Sequence, residues 1–390
     1  MDDIEEILTK GVANIIPGKE RLRKTLKENK KLNIYLGIDP TSTKIHLGHT
    51  VPLRKLQAFA NLGHKVIFLI GDFTALIGDT SDKDFERPAL TFEEINENFK
   101  TYKKQAEKVL DFSKVEIKYN SEWLKKLNFE DIVKLTQSFS VGDFVGRELI
   151  KKRLTEGKRV GLHEFLYPVM QGYDSFIMDT DIQIGGTDQT FNMQTGRTLM
   201  KNLKNKDSFV LTTPILEGPD GRKMSKSLGN AIWLEDSVED IYAKIMSIND
   251  NLIIQYFTLV TNTSINEIEK LKIKVKKEPM NIKKRLAHII ISELYSKKNA
   301  DKAGEQFEKT IQNRELPNQI KSYSLEKSKR TIFNIISDWS KLSKSEVKRL
   351  IEQKGVRVND KVIDLNIAAQ EAKEGMIIRV GKRKVIKISS

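Results

Sequence analysis

The most constraining feature of the chain is the alternation of short apolar segments with helical patterns over its first half. Four segments rich in β-branched and aromatic residues have the length of buried strands, namely 32–38, 64–72, 114–120 and 179–189. Apolar residues between them recur at helical spacing, and Thr91 with Glu94 predicts a capping box. Strand–helix alternation predicts an α/β fold with a doubly wound parallel sheet, whose ligands bind at the carboxyl ends of the strands.

The remainder of the chain departs from this alternation and predicts three domains. Helical segments over about 121–178 interrupt the alternation, and we interpret them as an insertion in a Rossmann-like domain of residues 1–229. Residues 230–320 have a helical pattern without a clear strand, which predicts an α-helical domain. A polar, basic linker at 320–330 then leads to residues 331–390, where short helices and strands predict a small α+β domain.

Composition restricts the classes of function and the compartment. The chain has 67 Lys and Arg against 53 Asp and Glu, and residues 321–390 contain 17 of the basic and 8 of the acidic residues. An excess of basic residues at one end of the chain favours a polyanionic partner, although a solvated lysine-rich surface without a partner would have the same excess. The absence of cysteine excludes disulfides and thiol catalysis and is consistent with the cytosol. The acidic N-terminus argues against a secretory signal, and no apolar run approaches the roughly 18 residues that span a bilayer. We therefore expect a cytoplasmic protein.

Two of the five histidines, His46 and His49, lie around Gly48 directly after the first predicted strand. The next helix is expected to begin near His46, which puts both imidazoles on one face of its first turn. A helix start offers free N–H groups to an anion, and Gly48 leaves room for a flat group, so the segment suits a nucleoside triphosphate. On this segment alone, a capped helix with exposed histidines is the simpler interpretation. We predict no metal site, because the other histidines are scattered and no cysteine is present.

A second segment favours the functional interpretation. The sequence GPDGRKMSKSLGN (218–230) predicts a loop that carries Lys223 and Lys226. Two ammonium groups on such a loop can stabilise the charge that grows on a departing pyrophosphate. A basic loop alone is usually a solvated turn, but its combination with the histidine segment on a parallel sheet is specific.

These two segments resemble the signatures of class I aminoacyl-tRNA synthetases. HLGH (46–49) resembles their HIGH motif, and KMSKS (223–227) matches the motif of that name. The longer segment around HLGH, YLGIDPTSTKIHLGHTVPL, resembles the family of bacterial-type tyrosyl-tRNA synthetases together with three further segments: GDFTALIGDTSDK, YPVMQGYD and IGGTDQTFN. The chain departs from the family at GDTSDK (78–83), where GDPSGK is frequent, and at Thr190-Phe191, where Trp-Gly is frequent.

The resemblance implies a tyrosine–tRNA ligase and a set of tyrosine-binding residues. Tyr35 and Asp174 would hold the phenol hydroxyl, which both donates and accepts. The residues expected to bind the ammonium group are Asp79, Tyr167 and Gln171. Thr74 and Gln189 would line the same pocket.

The resemblance also implies how ATP is bound, accompanied by Mg²⁺ as its substrate complex and without a tightly bound cofactor. The residues expected to bind ATP are Gly37, Asp39, His46, Gly48, His49, Asp188 and Lys226. Those expected to act in catalysis are Thr41, His46, His49, Lys223 and Lys226. The carboxylate of tyrosine is already ionised, so catalysis would consist of positioning and charge stabilisation.

Partners follow from the same resemblance: tRNA(Tyr), L-tyrosine, ATP and a second copy of the chain, with no DNA or membrane. Residues 331–390 resemble a small RNA-binding fold, in which the expected phosphate contacts are Lys344, Lys348, Arg349 and Arg357. Residues 230–320 would face the anticodon side. The homodimer interface is expected at about 128–165, where the apolar residues are Phe139, Val141, Phe144 and Val145.

Two other functions remain open from the sequence. A tryptophanyl-tRNA synthetase shares both signatures, but an indole offers only a donor, so the pair Tyr35 and Asp174 fits a phenol better. A non-catalytic, RNA-binding relative of the synthetases would keep the fold without the chemistry, and the intact HLGH and KMSKS segments argue against it.

Overall fold

The computed structural model describes residues 3–28, 30–78, 91–309, 321–325, 330–381 and 384–389. The chain forms two compact units, residues 1–300 and 301–390.

The strands within the described residues are β1 (Asn14–Ile16), β2 (Asn33–Ile38), β3 (Lys65–Ile70), β4 (Val115–Tyr119), β5 (Ile182–Gly186), β6 (Phe209–Thr213), β7 (Lys321–Ser324), β8 (Val356–Val358), β9 (Lys361–Val362), β10 (Ile377–Val380) and β11 (Lys384–Ser389). The α-helices are α1 (Asp3–Ile7), α2 (Lys19–Lys27), α3 (Thr50–Asn61), α4 (Phe92–Ala106), α5 (Ser121–Leu124), α6 (Phe129–Thr136), α7 (Val141–Val145), α8 (Glu148–Thr155), α9 (His163–Ile177), α10 (Thr190–Lys204), α11 (Val238–Met246), α12 (Ile253–Val260), α13 (Ile265–Val275), α14 (Pro279–Leu294), α15 (Lys297–Phe307), α16 (Ile332–Ser340), α17 (Lys344–Glu352) and α18 (Leu365–Ala368).

The first unit is organised around a six-stranded sheet with the order β1-β6-β5-β2-β3-β4. Strands β2 to β6 pair in parallel, and only β1 pairs antiparallel, with β6. The prediction of a doubly wound parallel sheet is therefore confirmed, and β2 to β5 lie within the four predicted segments. The chain proceeds outward from β2 in one direction to β4, and from β5 in the other to β6. The switch point lies between β2 and β5, where ligands bind in such sheets.

Burial explains why the parallel strands have nearly continuous apolar sequences. Every residue of β6 and all but the first of β3 are buried, because helices cover both faces of the sheet. On one face α9 and α10 pack closely at two glycines. A Cβ on Gly172 would lie 2.9 Å from Leu199, and one on Gly196 would lie 2.6 Å from the Ser175 hydroxyl. This close approach fixes the position of α9, which carries several predicted site residues.

The segment after the KMSKS loop is helical from α11 to α15, as predicted for this part of the chain. Serine N-caps begin two of these helices, because the Ser237 and Ser264 hydroxyls accept the Asp240 and Glu267 backbone N–H groups. Among the described residues, no helix is both long enough and apolar enough to cross a membrane.

The second unit contains a five-stranded sheet with the order β7-β11-β10-β8-β9 and the helices α16 to α18. Asn359 and Asp360 have positive φ angles of 47° and 63°, and they form the tight turn between β8 and β9. The interpretation of 320–330 as a linker is wrong for Lys321–Ser324, which pairs in parallel with β11. Its sequence, KSYS, is polar because an edge strand is held by backbone hydrogen bonds with little apolar burial.

Candidate active site

The candidate site lies where four parallel strands end. Asp39 follows β2 directly, Thr74 follows β3, Asn120 follows β4, and Asp188 follows β5. The carboxyl ends of parallel strands meet at one edge of a sheet, so residues distant in sequence lie close together there.

The histidine segment has a tighter backbone than predicted. Leu47–His49 forms a 3₁₀ turn, in which the His49 N–H donates to the His46 carbonyl at 2.9 Å. The helix predicted to begin near His46 therefore begins at Thr50. The imidazoles stack with ring centroids 3.8 Å apart. A Cβ on Gly48 would lie 3.0 Å from the His46 ring, so the flat group that lies against this glycine is that imidazole.

Burial keeps both imidazoles neutral. Desolvation lowers the pKa of His46 to about 2, with smaller contributions from His49 and from the Lys223 ammonium. Desolvation also lowers the pKa of His49 to about 4. The His46 backbone N–H donates to His49 Nδ1 at 3.1 Å. The neutral His49 ring therefore carries its proton on Nε2, where it can donate to an anionic oxygen.

The methionine of the KMSKS loop anchors the loop to the rest of the first unit. Met224 is 2% exposed, and its N–H donates to the Leu216 carbonyl at 2.9 Å. On one side of it, Lys223 Nζ lies 3.5 Å from an Asp188 carboxylate oxygen, and its charge acts on both histidines. On the other side, Lys226 is exposed. The loop thus carries one lysine at the site and one in solvent.

Asp39 joins predicted residues from three elements. Its carboxylate accepts a hydrogen bond from the Thr74 hydroxyl at 2.8 Å and from the Tyr167 hydroxyl at 2.9 Å. A Cβ on Gly71 would lie 2.0 Å from Asp39 Oδ1, so only glycine at this position permits the arrangement. Thr41 lies beyond Asp39 and donates its N–H to the Asp39 carbonyl at 2.8 Å.

Asp174 is a buried carboxyl group with two donors. It accepts from the Trp123 indole at 2.7 Å and from the Asn120 amide at 3.3 Å, and it is 2% exposed. Desolvation raises its pKa to about 8, against the effect of these two hydrogen bonds. Asn120 also donates to the Thr74 hydroxyl at 3.0 Å. One hydrogen-bond network therefore runs from Asp174 through Asn120 and Thr74 to Asp39.

Tyr35 lies in the middle of β2, and it is buried among apolar side chains. Its hydroxyl contacts the Ser175 hydroxyl at 2.9 Å and donates to Gln183 Oε1 at 3.2 Å. Burial raises its pKa, and the nearby Asp174 carboxyl acts in the same direction. The phenol is therefore neutral at every physiological pH.

Sequence reasoning missed the partners of these two groups: Asn120, Trp123, Ser175 and Gln183. A signal was present for Asn120 and Trp123, because both follow a predicted strand at the edge where ligands bind. Ser175 and Gln183 had no such signal, since their role depends on the packing of α9 against the sheet.

Three of the remaining predicted residues lie on described elements. Gln171 lies on α9 one turn from Tyr167, and Gly37 is exposed in β2. Gln189 ends a 3₁₀ turn after β5 and accepts from the Asn192 amide at 3.1 Å. Asp79 lies outside the described residues.

The predicted RNA contacts lie in the second unit. Lys344, Lys348 and Arg349 are on α17, and Arg357 is on β8. The Arg357 guanidinium donates to the Asp360 carbonyl at 3.0 Å, which holds it beside the turn that follows β8.

Comparison with known proteins decides the family. The profile of the class I tRNA synthetases (W and Y) matches residues 27–312. The chain belongs to this family. It is 43% identical to the tyrosine–tRNA ligase of Carboxydothermus hydrogenoformans, over 98% of this chain and 97% of that one. It is 40% identical to the tyrosine–tRNA ligase of Thermotoga maritima, over 98% of this chain and 96% of that one.

Solved structures agree with this assignment. The tyrosyl-tRNA synthetase of Archaeoglobus fulgidus, complexed with L-tyrosine, has a TM-score of 0.61 and 26% identity, and covers 78% of this chain and 100% of its own. A truncated mitochondrial tyrosyl-tRNA synthetase of Aspergillus nidulans shares the fold with a TM-score of 0.67 at 22% identity, over 78% of this chain and 92% of its own. The predicted family is therefore confirmed.

Proposed function

We propose that the protein joins L-tyrosine to tRNA(Tyr) in two steps. Its relatives over nearly the full length are tyrosine–tRNA ligases, which favours tyrosine over tryptophan within the family. In the first step, a tyrosine carboxylate oxygen forms a bond to the α-phosphorus of ATP. The bond from that phosphorus to the bridging oxygen breaks, and pyrophosphate leaves with the electron pair. In the second step, a ribose hydroxyl at the 3′ end of the tRNA takes the tyrosyl group and AMP leaves.

The histidine pair and the lysine loop support the first step. Neutral imidazoles donate hydrogen bonds to phosphate oxygens without themselves changing charge, and His49 presents Nε2–H for this purpose. Lys223 is already beside the histidines, and Lys226 on the same loop closes on the leaving pyrophosphate. Thr41, close to Asp39, contributes a hydroxyl to the triphosphate site. Mg²⁺ enters with ATP, and no tightly bound cofactor takes part.

The network from Asp174 to Asp39 supports tyrosine as the amino acid. The substrate phenol donates to an oxygen of the Asp174 carboxyl group and accepts from the Tyr35 hydroxyl, so its donor and its acceptor are both satisfied. Phenylalanine has no hydroxyl to hydrogen-bond with these polar groups and would place its ring edge against them, so its binding is disfavoured. At the other end, the ammonium group meets Tyr167, Gln171 and Asp79. Thr74 and Gln189 line the same pocket.

Adenine and ribose lie beside Gly37, Gly48 and Asp188. The ion pair between Asp188 and Lys223 then opens, because the ribose hydroxyls take the carboxylate while the ammonium follows the phosphates. Asp188 thus exchanges the lysine for ribose hydroxyls, and Lys223 exchanges the carboxylate for phosphate oxygens, so neither charge is left without a partner during binding.

The second unit binds tRNA through Lys344, Lys348, Arg349 and Arg357, and the helices from α11 to α15 face the anticodon side. Phosphate contacts of this kind release counterions, so tRNA affinity falls steeply with salt. Removing one such cation lowers the slope of log affinity against log salt by about one. We place the reaction in the cytoplasm, without DNA or membrane partners.

Exposed apolar side chains support a homodimer through the insertion. Phe129 is 80% exposed, Val141 78% and Leu162 79%, and all three lie within the predicted interface. Phe144, which the sequence also assigns to the interface, is 6% exposed and packs in the core of its own unit. Apolar groups exposed to this extent are typical of a surface that another chain covers.

The observation that carries the proposal is the continuous network from a buried carboxyl group, Asp174, to the edge of the sheet where the stacked histidines lie. The test is aminoacylation with purified tRNA(Tyr) and labelled amino acids. We expect tyrosine to be attached and tryptophan to be rejected. Attachment of tryptophan to tRNA(Trp) by the same preparation, without tyrosine attachment, would identify the alternative enzyme.

A further inference from the structure

The segment that follows the KMSKS loop contacts the histidine segment directly. Residues 231–234, which we call the post-loop segment, run beside residues 45–47. The Leu47 N–H donates to the Ile232 carbonyl at 2.8 Å, and the Leu234 N–H donates to the Ile45 carbonyl at 2.9 Å. His46 and Trp233 form an antiparallel bridge between these two bonds. Backbone hydrogen bonds therefore join the histidine segment to the residues that follow the KMSKS loop.

Trp233 extends this connection to the His46 ring. The two rings meet edge to face, with centroids 5.6 Å apart and an interplanar angle of 61°. The same imidazole stacks on the His49 ring, and a Cβ on Gly48 would lie 3.0 Å from it. His46 Nδ1 is buried without a hydrogen-bond partner among the described residues. Packing, rather than hydrogen bonding, therefore orients this edge of the ring.

The post-loop segment is itself held by the surrounding helices. The Leu234 carbonyl accepts from Lys108 Nζ, in the turn after α4, at 2.7 Å and from the Tyr295 hydroxyl at 2.5 Å. The Lys108 ammonium also lies 3.7 Å from the centroid of the Tyr295 ring. The backbone N–H of Trp233 donates to the Asp236 carboxylate, which also forms an ion pair with Lys244 on α11. These hydrogen bonds and the ion pair hold the post-loop segment in place, so it is a rigid support for the Trp233 side chain.

We propose that Trp233 is a positioning residue for the first step: it fixes the His46 imidazole against His49 and Gly48 at the triphosphate site. This inference rests on the proposed function. Among the described residues, no hydrogen bond or ring contact joins Trp233 to the Asp174 network, so we expect its effect to be confined to ATP. A ring that loses its edge contact can rotate away from the phosphate, and small misplacements of a positioning group reduce rates strongly.

The test is tyrosine-dependent ATP–pyrophosphate exchange by Trp233→Leu and Trp233→Phe. We expect Trp233→Leu to lower kcat/KM for ATP by about tenfold or more, through a higher KM for ATP, a lower kcat or both. The KM for tyrosine should be unchanged. Trp233→Phe keeps an aromatic edge and should restore most of the activity. Trp339→Leu, the same change at a tryptophan in the second unit, is the matched control and should exchange like the wild type.

A double-mutant cycle separates positioning from general support of the fold. If Trp233 acts through His46, then Trp233→Leu should add little to the loss caused by His46→Ala. Additive losses, or an equal rise in both Michaelis constants, would overturn the inference. Should Trp233→Leu fail to fold, Trp233→Met, which also removes the aromatic edge, gives the same comparison in the wild-type and His46→Ala backgrounds. Wild-type protein that does not exchange with tyrosine at all would overturn the proposed function, and this inference with it.

Discussion

The ionisation of Asp174 is the property of the site most accessible to measurement. Its pKa rises from the usual 3.8 to about 8 because the carboxyl group is buried. The difference between these two pKa values corresponds to about 5 kcal/mol of free energy. Between pH about 4 and about 8 the folded protein holds a proton that the unfolded chain has released. The free energy of unfolding therefore decreases as the pH rises through this window, and most of the decrease is complete near pH 8.

The perturbation is Asp174→Asn, which keeps the shape of the side chain and removes the titration. The new amide can accept from the Trp123 indole, but its NH₂ group then faces the Asn120 NH₂ group. One buried donor is left unpaired, at a cost of about 1–3 kcal/mol that does not depend on pH. We expect the variant to be less stable than the wild type at pH 5. The difference should shrink, or change sign, by pH 8.

The direct assay is the indole N–H resonance of Trp123, which donates to Asp174 at 2.7 Å. The chain has 3 tryptophans, so the signal can be assigned with Trp123→Phe. We expect its chemical shift to titrate with a midpoint near 8 in the wild type and to stay constant in Asp174→Asn. A midpoint below 5, or pH profiles of stability that run parallel in the two proteins, would refute the reasoning.

Three further predictions concern packing and chemistry. Gly196→Ala should lower the free energy of unfolding by about 1–3 kcal/mol in denaturant titrations, because its Cβ would lie 2.6 Å from Ser175. Gly18→Ala, where nothing lies within 4 Å, should cost less than about 1 kcal/mol. Gly48→Ala should reduce pyrophosphate exchange by about tenfold, since it displaces the His46 ring; an unchanged rate would contradict this. Lys226→Ala should reduce adenylate formation by about a hundredfold or more while tRNA affinity, measured by filter binding, is retained; equal losses of both would favour a binding protein.

Local patterns were sufficient to predict much of the fold. The apolar runs of β2 to β5 identify them because both faces of a parallel sheet are buried. The capping box is present as predicted, with the Glu94 N–H donating to the Thr91 hydroxyl at 3.2 Å. The motifs around His46 and Lys223 led to the family, which the comparisons confirm.

Features that depend on distant contacts could not be predicted from the sequence. The helix after β2 begins at Thr50 because the histidine turn is held by residues 231–234, nearly 200 positions away. Strand β7 has no apolar pattern, and its pairing partner β11 lies at the far end of the unit. The donors to Asp174 come from the segment after β4, which only the sheet brings beside α9.

The most direct test of the account is ATP–pyrophosphate exchange measured with each of the twenty amino acids in turn. The proposed triphosphate site of His46, His49 and the KMSKS lysines, beside a proposed cleft of Tyr35 and Asp174, predicts rapid exchange with tyrosine and little with phenylalanine or tryptophan. Exchange that is fastest with another amino acid, or absent with all twenty, would contradict it.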